Sequence, residues 1–164
     1  MKQRITVLAF IVAAISIIGC TKGGKLERVN GNQYTISSTA SSKQLVPAID
    51  TTSTATINGF YDEPLNILSF TIAWNDLWRD TKKDTIVSIN FYGPASTTEN
   101  GELVRSLPFS STSSAASINL GLAGRTGFSL TEKKNLLEGA FYFTINTKSF
   151  PNGIVRGQLT ATKQ

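Results

Sequence analysis

The 164-residue sequence contains no histidine and only one cysteine, and these two absences exclude much of the chemistry available to a small protein. Without histidine there is no Ser-His-Asp triad, and the imidazole ligands of zinc and copper sites are missing. A single cysteine cannot form an internal disulfide. We therefore expect no cofactor and no bound metal. The melting temperature of the protein should accordingly not change with zinc, copper or a chelator, and a reproducible metal-dependent rise would contradict this.

Charge is also scarce, at 16% of residues, with 16 basic and 11 acidic side chains. The basic residues are scattered and form no stripe with interleaved aromatics, so we expect no nucleic-acid partner. Glycosidases need two carboxylates roughly 5–10 Å apart across a cleft, whereas Asp62 and Glu63 are adjacent and should point apart. We therefore expect no enzyme, with a hydrolase as a minor alternative. Abundant Ser, Thr, Asn and Gly with little charge is typical of an extracytoplasmic β protein.

The N-terminus has the features of an export signal that ends at the only cysteine. Lys2 and Arg4 precede an apolar run over residues 5–18, which is shorter than the ~20 residues of a membrane span. A small residue followed by Cys20 resembles a bacterial lipobox, which implies cleavage after residue 19 and acylation of Cys20. Cleavage would remove two of the 16 basic residues and none of the 11 acidic ones, leaving a net charge of +3. An ordinary secretory signal with an incidental cysteine is the alternative.

These features predict an envelope lipoprotein that faces the periplasm or the cell exterior. Residues 1–19 would be the signal peptide, and residues 20–33 the lipidated Cys20 with a flexible tether. The tether carries glycine and charged residues without apolar periodicity. Residues 34–164 would form one domain, and the membrane would be a partner through the N-terminal lipid.

Most of the segment 34–164 alternates between apolar and polar residues, which is the pattern of β-strands with one buried face. The clearest strand covers residues 68–74, with four side chains predicted inward: Leu68, Phe70, Ile72 and Trp74. Alternation also predicts strands at 34–38, 52–59 and 85–92, with a turn region over residues 60–66, and weaker patterns predict strands at 102–109 and 117–120. In the strand 85–92 we expect Val87, Ile89 and Phe91 to point inward.

The C-terminal third predicts one short helix and a closing hairpin. Thr131 is the expected helix N-cap, Glu132 suits the positive end, and Gly139 is expected to end the helix. The hairpin spans residues 141–162, with its turn at Pro151, Asn152 and Gly153. Seven or eight short strands with frequent turns predict an all-β antiparallel sandwich with one short helix.

Several segments, in this order along the chain, resemble the CHRD domain, which is named after repeats in chordin. They are Gln44-Leu45-Val46-Pro47, the strand LSFTIAW, Phe91-Tyr92-Gly93-Pro94, the helix LTEKKNLLEG, the hairpin strand YFTINTKSFPNG and Arg156-Gly157-Gln158-Leu159. The resemblance covers residues 34–162 and implies a Greek-key or immunoglobulin-like β-sandwich. It implies no particular activity.

The sequence departs from that family at its histidines. Members typically carry a His-x-His-Gly-Pro segment, where this chain has Asn90-Phe91-Tyr92-Gly93-Pro94, and a histidine in the penultimate strand, where it has Asn146. Leu45 stands where members usually have Glu. A metal or acid–base role that depends on those histidines cannot operate here.

Binding is therefore the functional class that we favour, with a protein or a glycan as partner. Strand parity predicts that five polar side chains point outward and form a surface patch if their strands are neighbours: Asn90, Tyr92, Asn146, Arg156 and Gln158. A solvated sheet face without a ligand is the alternative, and it would make the protein a purely structural envelope component.

Two features of the loop near residues 75–84 have ordinary explanations. Trp78 is a sugar-stacking platform or, more simply, a lid over the edge of the core. Asp76, Asp80 and Asp84 supply oxygen ligands that calcium accepts. However, Lys82 and Lys83 lie among these acids, so we expect a solvated loop that neutralises itself.

Overall fold

The computed structural model describes residues 31–77, 84–109, 114–121 and 126–164. The predicted signal peptide, Cys20 and Trp78 lie outside the described residues. The folded unit is Gly31–Gln164, and every described strand lies within it, so a fragment of residues 21–164 keeps the complete sheet. The elements in chain order are β1 (Gln33–Ser41), β2 (Thr54–Asp62), β3 (Ile67–Asn75), β4 (Ile86–Tyr92), β5 (Leu103–Pro108), β6 (Ala115–Leu120), α1 (Leu130–Leu137), β7 (Tyr142–Thr147), β8 (Val155–Gln158) and β9 (Thr160–Lys163).

The strands form one antiparallel sheet that curls back on itself. Its order is β5-β4-β7-β8-β1-β2-β3-β6, and β9 also pairs with β1. The link between the halves is narrow, because β8 and β1 pair only at Arg156 and Ser41. On either side of this link the sheet provides one layer of a sandwich, so the predicted all-β antiparallel class is confirmed.

The core lies between the two layers. Phe70 of β3 contacts Phe91 of β4 edge-on, with ring centroids 5.9 Å apart. Trp74 contacts Phe109 in the same way at 5.8 Å. All four side chains of β3 that were predicted inward are buried, and alternate residues of β3 face solvent or are half-buried. Apolar side chains of both layers thus interdigitate, as a sandwich requires.

The closing hairpin forms as predicted in β7 and the first half of its second strand. Val155 pairs with Ile145 next to the turn, and Gly157 pairs with Phe143. Gly157 is required by close packing, because a Cβ there would lie 2.5 Å from Ser38 Oγ and 2.8 Å from the Phe143 ring. The second strand does not continue unbroken to residue 162 as expected. It is interrupted at Leu159, after which β9 pairs with β1.

The helix begins two residues earlier than predicted, because Ser129 rather than Thr131 is its N-cap. The Ser129 hydroxyl accepts a hydrogen bond from the Glu132 amide at 3.2 Å. The Glu132 carboxylate accepts one from the Ser129 amide at 2.7 Å. A reciprocal capping box pairs the N-cap with a Glu or Gln three residues later. Glu132 lies three residues after Ser129 but only one residue after Thr131. Gly139, at φ +72°, ends the helix as expected. Within the described ranges, no helix is long and apolar enough to cross a membrane.

Two strand predictions were wrong in detail. Val87 was expected inward but is 41% exposed, because the pairing of β4 with β7 shifts register between Ile86 and Ser88. A bulge adds one residue to a strand and so breaks the alternation of faces. In addition, β2 extends to Asp62, and Tyr61 is buried where a turn was expected.

Candidate functional site

Polar side chains gather on the face of β4, β7 and β8 that points away from the core. Asn90 pairs with Thr144 across β4 and β7. Thr144 in turn pairs with Arg156, and Tyr142 with Gln158, across β7 and β8. The condition that these strands be neighbours is therefore met. We call this surface the polar face, which comprises Asn90, Tyr92, Tyr142, Thr144, Asn146, Arg156 and Gln158.

The polar face is not the exposed patch that strand parity predicted. Asn90 is 9% exposed, and Asn146 and Arg156 are each 2% exposed, so these three lie on the predicted outward face but the expectation that solvent reaches them was wrong. Tyr92 and Gln158 are half-buried. Parity identifies the face of a strand but does not reveal what covers it. Here the cover includes residues 45–53, between β1 and β2, and residues 93–102, between β4 and β5.

Hydrogen bonds from the polar face hold the loop of residues 93–102 in place. Arg156 Nη2 donates to the carbonyl of Ser96 at 2.6 Å. Gln158 Nε2 donates to the carbonyls of Ala95 at 2.9 Å and Gly139 at 2.8 Å. These hydrogen bonds are partly shielded from solvent and join β8 to residues 95 and 96 and to the end of α1.

The two asparagines of the polar face are likewise satisfied from within the protein. Asn90 Oδ1 accepts from the Ser106 hydroxyl at 2.7 Å. Asn146 Nδ2 donates to the carbonyl of Pro151 at 2.6 Å, and Asn146 Oδ1 accepts from Thr144 at 2.6 Å. Both amides therefore stabilise the fold directly.

Arg156 belongs to a three-member stack at the centre of the polar face. Its guanidinium carbon lies 3.8 Å from the centroid of the Tyr142 ring. Tyr142 is stacked on Tyr92 with centroids 5.1 Å apart and an interplanar angle of 8°. The Tyr142 hydroxyl accepts from the Gly101 amide at 3.2 Å, which fixes the ring. A cation over an aromatic face is attracted by the ring's negative quadrupole.

The charge of Arg156 has no acidic partner in the part of the chain that the structure describes. The ion pairs found there are Arg105–Glu132, Lys133–Glu63 and Lys134–Glu138. Arg156 Nη1 is buried and makes no hydrogen bond to any described residue. Burial lowers the pKa of Arg156 from its ordinary value while the Tyr142 phenol opposes this, but a guanidinium stays charged at neutral pH. Burying a cation without a counter-charge destabilises a fold, so a role for the charge of Arg156 beyond folding is worth considering.

A cleft of about 520 Å³ opens beside Arg156. Tyr92, Tyr142, Thr144 and Arg156 contribute to its lining, and Asn90, Asn146 and Gln158 do not. Apolar residues from two loops form much of the remaining wall: Leu45, Val46, Pro47, Ile49, Phe150 and Pro151. Small-molecule sites of about 300–1,000 Å³ typically combine such an apolar lining with a few polar groups.

The lining of this cleft combines one cation with aromatic rings and apolar side chains. The described residues that line it include no Asp, Glu or Cys, so paired carboxylates are not brought together there. Over the same described ranges, no cluster of three His, Cys, Asp or Glu side chains is placed to hold a metal ion. A cation, aromatic rings and apolar side chains can hold a ligand by charge and contact area.

Asp84 is buried and hydrogen-bonded, whereas a solvated loop was expected at this position. It is 8% exposed and accepts hydrogen bonds from the Thr147 hydroxyl at 2.9 Å and the Ser149 amide at 3.1 Å. Burial alone would raise its pKa, but these hydrogen bonds outweigh it and lower the pKa below the ordinary value. Asp84 therefore joins the start of β4 to the β7–β8 turn, and Asp80 lies outside the described residues.

Sequence reasoning missed Tyr142, Thr144 and the apolar loop residues. Tyr142 and Thr144 share the parity of Asn146, so alternation along β7 was the signal that could have found them. The loop residues gave no such signal, because their place over the sheet depends on tertiary contacts.

A family model for the CHRD domain matches residues 36–159. The match begins in β1 and ends at Leu159, immediately after β8. Searches of curated proteins and of solved structures each returned no match.

Proposed function

The chain belongs to the CHRD domain family, and on that premise we propose that it is an extracytoplasmic, lipid-anchored binding module rather than an enzyme. The single observation that carries the binding role is the cleft at Arg156, where a buried cation with no acidic partner among the described residues meets an apolar wall. The export signal and the lipobox-like Cys20 support the location. Since this chain lacks the family's usual histidines, its ligand would be held without metal.

The cleft suits a partner that inserts a small group. Its volume of about 520 Å³ accommodates one or two side chains or a monosaccharide-sized unit, not a globular surface. A protein partner would therefore present a terminus or loop, and a glycan would present a single residue. Burial of such a group against the apolar wall would supply non-directional affinity, and Arg156 would supply specificity.

A neutral substitution that fills the cleft tests this role. Leu45 is half-buried in the wall, so Leu45→Trp should occupy the cleft without adding charge or unfolding the domain. We expect the fragment 21–164 to capture a specific partner from an envelope extract. The Leu45→Trp variant should lose at least about tenfold of that capture, as interface hot spots do.

Leu65→Trp is the matched control, because Leu65 is 61% exposed and is not among the cleft-lining residues. It should capture the partner as the unmodified fragment does. Equal capture by both tryptophan variants would argue against the cleft as the binding site.

The alternative is a purely structural envelope lipoprotein, and one observation favours it. Arg156 and Gln158 donate to carbonyls of the loop 93–102, so stabilising this loop would by itself explain why polar side chains occupy this face. In that case the cleft would be incidental, and neither tryptophan substitution would change any interaction.

A further inference from the structure

We propose that the Arg156 cleft receives the C-terminal carboxylate of a peptide whose last side chain is apolar. This inference rests on the proposed function, because it takes the cleft as the binding site and names its ligand. Two independent features carry it: the unsatisfied guanidinium and the apolar wall.

The guanidinium of Arg156 is the group of the cleft that would bind an anion. Arg156 is 2% exposed. Its Nη2 donates to the carbonyl of Ser96, and its Nη1 has no hydrogen-bond partner among the described residues. Among the described residues that line the cleft, none is acidic, so the protein supplies no counter-charge there. A carboxylate oxygen at Nη1 would give this nitrogen its missing acceptor and would neutralise the charge. Such a pair is stronger in a poorly hydrated site than in water.

Entry to the guanidinium requires the two covering loops to separate slightly. The side chain of Asn100 spans them by donating to the carbonyl of Val46 at 2.7 Å, and this hydrogen bond is exposed to solvent. When this exposed hydrogen bond breaks, water can bind both of its partners, so separating the two loops at this point costs little free energy. Asn100 and Gly101 also line the cleft, which places this hydrogen bond at its rim.

The wall determines what accompanies the carboxylate. Leu45, Ile49 and Phe150 are each half-buried beside the cleft and offer carbon surface rather than hydrogen-bond partners. A sugar acid would leave hydroxyl groups unsatisfied against these side chains, which is unfavourable. An apolar side chain next to a terminal carboxylate would instead be buried favourably. The lining thus favours a peptide C-terminus over an acidic glycan.

Three probes distinguish these ligands on the fragment 21–164: the peptide Ac-Gly-Gly-Leu-Phe as free acid, the same peptide as C-terminal amide, and digalacturonate. Affinities would be measured by calorimetry, and the location by NMR shifts of the Gly101 and Gly153 amides, which line the cleft. We expect the acid to bind at least about tenfold more tightly than the amide, since hydrogen bonds to charged groups are the strong ones. That difference should disappear in Arg156→Gln and should shrink with added salt.

A second pair of variants keeps the test informative if Arg156→Gln fails to fold. Leu45→Glu places a negative charge in the cleft wall, whereas Ala48→Glu adds the same charge to an exposed position of the same loop that does not line the cleft. We expect Leu45→Glu to lose the preference for the acid and Ala48→Glu to retain it.

The outcomes separate the two levels of the proposal. Equal binding of acid and amide, with shifts at Gly101 and Gly153, would overturn the carboxylate claim and leave the cleft as a binding site. Binding of digalacturonate but not of the peptide acid would overturn the peptide claim. No binding of any probe, together with unchanged partner capture by Leu45→Trp, would overturn both and leave Arg156 as a residue that only stabilises its loops.

Discussion

Phe70→Ala is expected to lower the free energy of unfolding by about 3–5 kcal/mol, the usual cost of truncating a buried aromatic. Phe70 is 4% exposed, and its ring contacts Phe91 of the opposite layer at 5.9 Å. Its loss would leave a cavity between the two layers that neighbouring strands cannot fill. Chemical denaturation of the fragment 21–164, followed by intrinsic fluorescence, would measure this.

Thr71→Ala is the matched control on the other face of the same strand. Thr71 is exposed, and its hydroxyl is 3.3 Å from that of Ser117 on the neighbouring strand at a solvent-exposed position. Surface substitutions of this kind typically change stability by no more than about 0.5 kcal/mol. Similar unfolding midpoints for the two variants would contradict the register of β3.

Cys20→Ala is expected to move the protein from the membrane fraction to the soluble fraction. The acylated thiol would be the only anchor, and stable attachment needs more than one acyl chain, as a mature bacterial lipoprotein carries. Metabolic labelling with a fatty-acid probe, followed by fractionation, measures both the modification and its consequence. The folded unit begins at Gly31, so the melting temperature of the released protein should not change.

Thr21→Ala is the matched control for the anchor, because it alters the adjacent residue and keeps the cysteine. It should carry the label and remain in the membrane fraction. Undiminished label on Cys20→Ala would show that the lipid is attached elsewhere, and the lipoprotein interpretation would then be wrong.

The sequence was sufficient to predict the strands of both layers and their buried faces, because each layer is built from amphipathic strands. The alternation of Leu68, Phe70, Ile72 and Trp74 located β3 and its buried face, since one buried face forces period two. The closing hairpin was equally clear, because alternation on both sides flanks a Pro-Asn-Gly turn. Gly157 could be located but not explained from sequence, because its close contact with Ser38 depends on the pairing of β8 with other strands.

The errors arose where structure depends on contacts between distant segments. The irregular pairing near Val87 reverses parity without any Gly or Pro to reveal it. The start of α1 is the exception, because its capping box is local: Glu132 lies three residues after Ser129, a spacing that the sequence itself contains.

The candidate site was predicted less completely from the sequence than the fold was. Parity brought Asn90, Tyr92 and Arg156 to one face, and the structure places them on that face of β4 and β8, the two strands that flank β7. Nothing in their own strands indicates that loops 45–53 and 93–102 cover this face, or that Arg156 lies beneath them with no acidic partner in the part of the chain that the structure describes. The cleft is therefore a product of loop packing, which sequence patterns do not encode locally.

Site-specific photo-crosslinking in living cells tests the central claim, that the Arg156 cleft is where this protein binds its partner. A benzoyl-phenylalanine would replace Leu45 in the cleft wall or, as the reference, Leu65, which is 61% exposed and does not line the cleft. Adducts would be identified by mass spectrometry after irradiation. The account predicts a discrete adduct from position 45 that position 65 does not give. Irradiation that yields no adduct at position 45, or the same adducts at both positions, would contradict it.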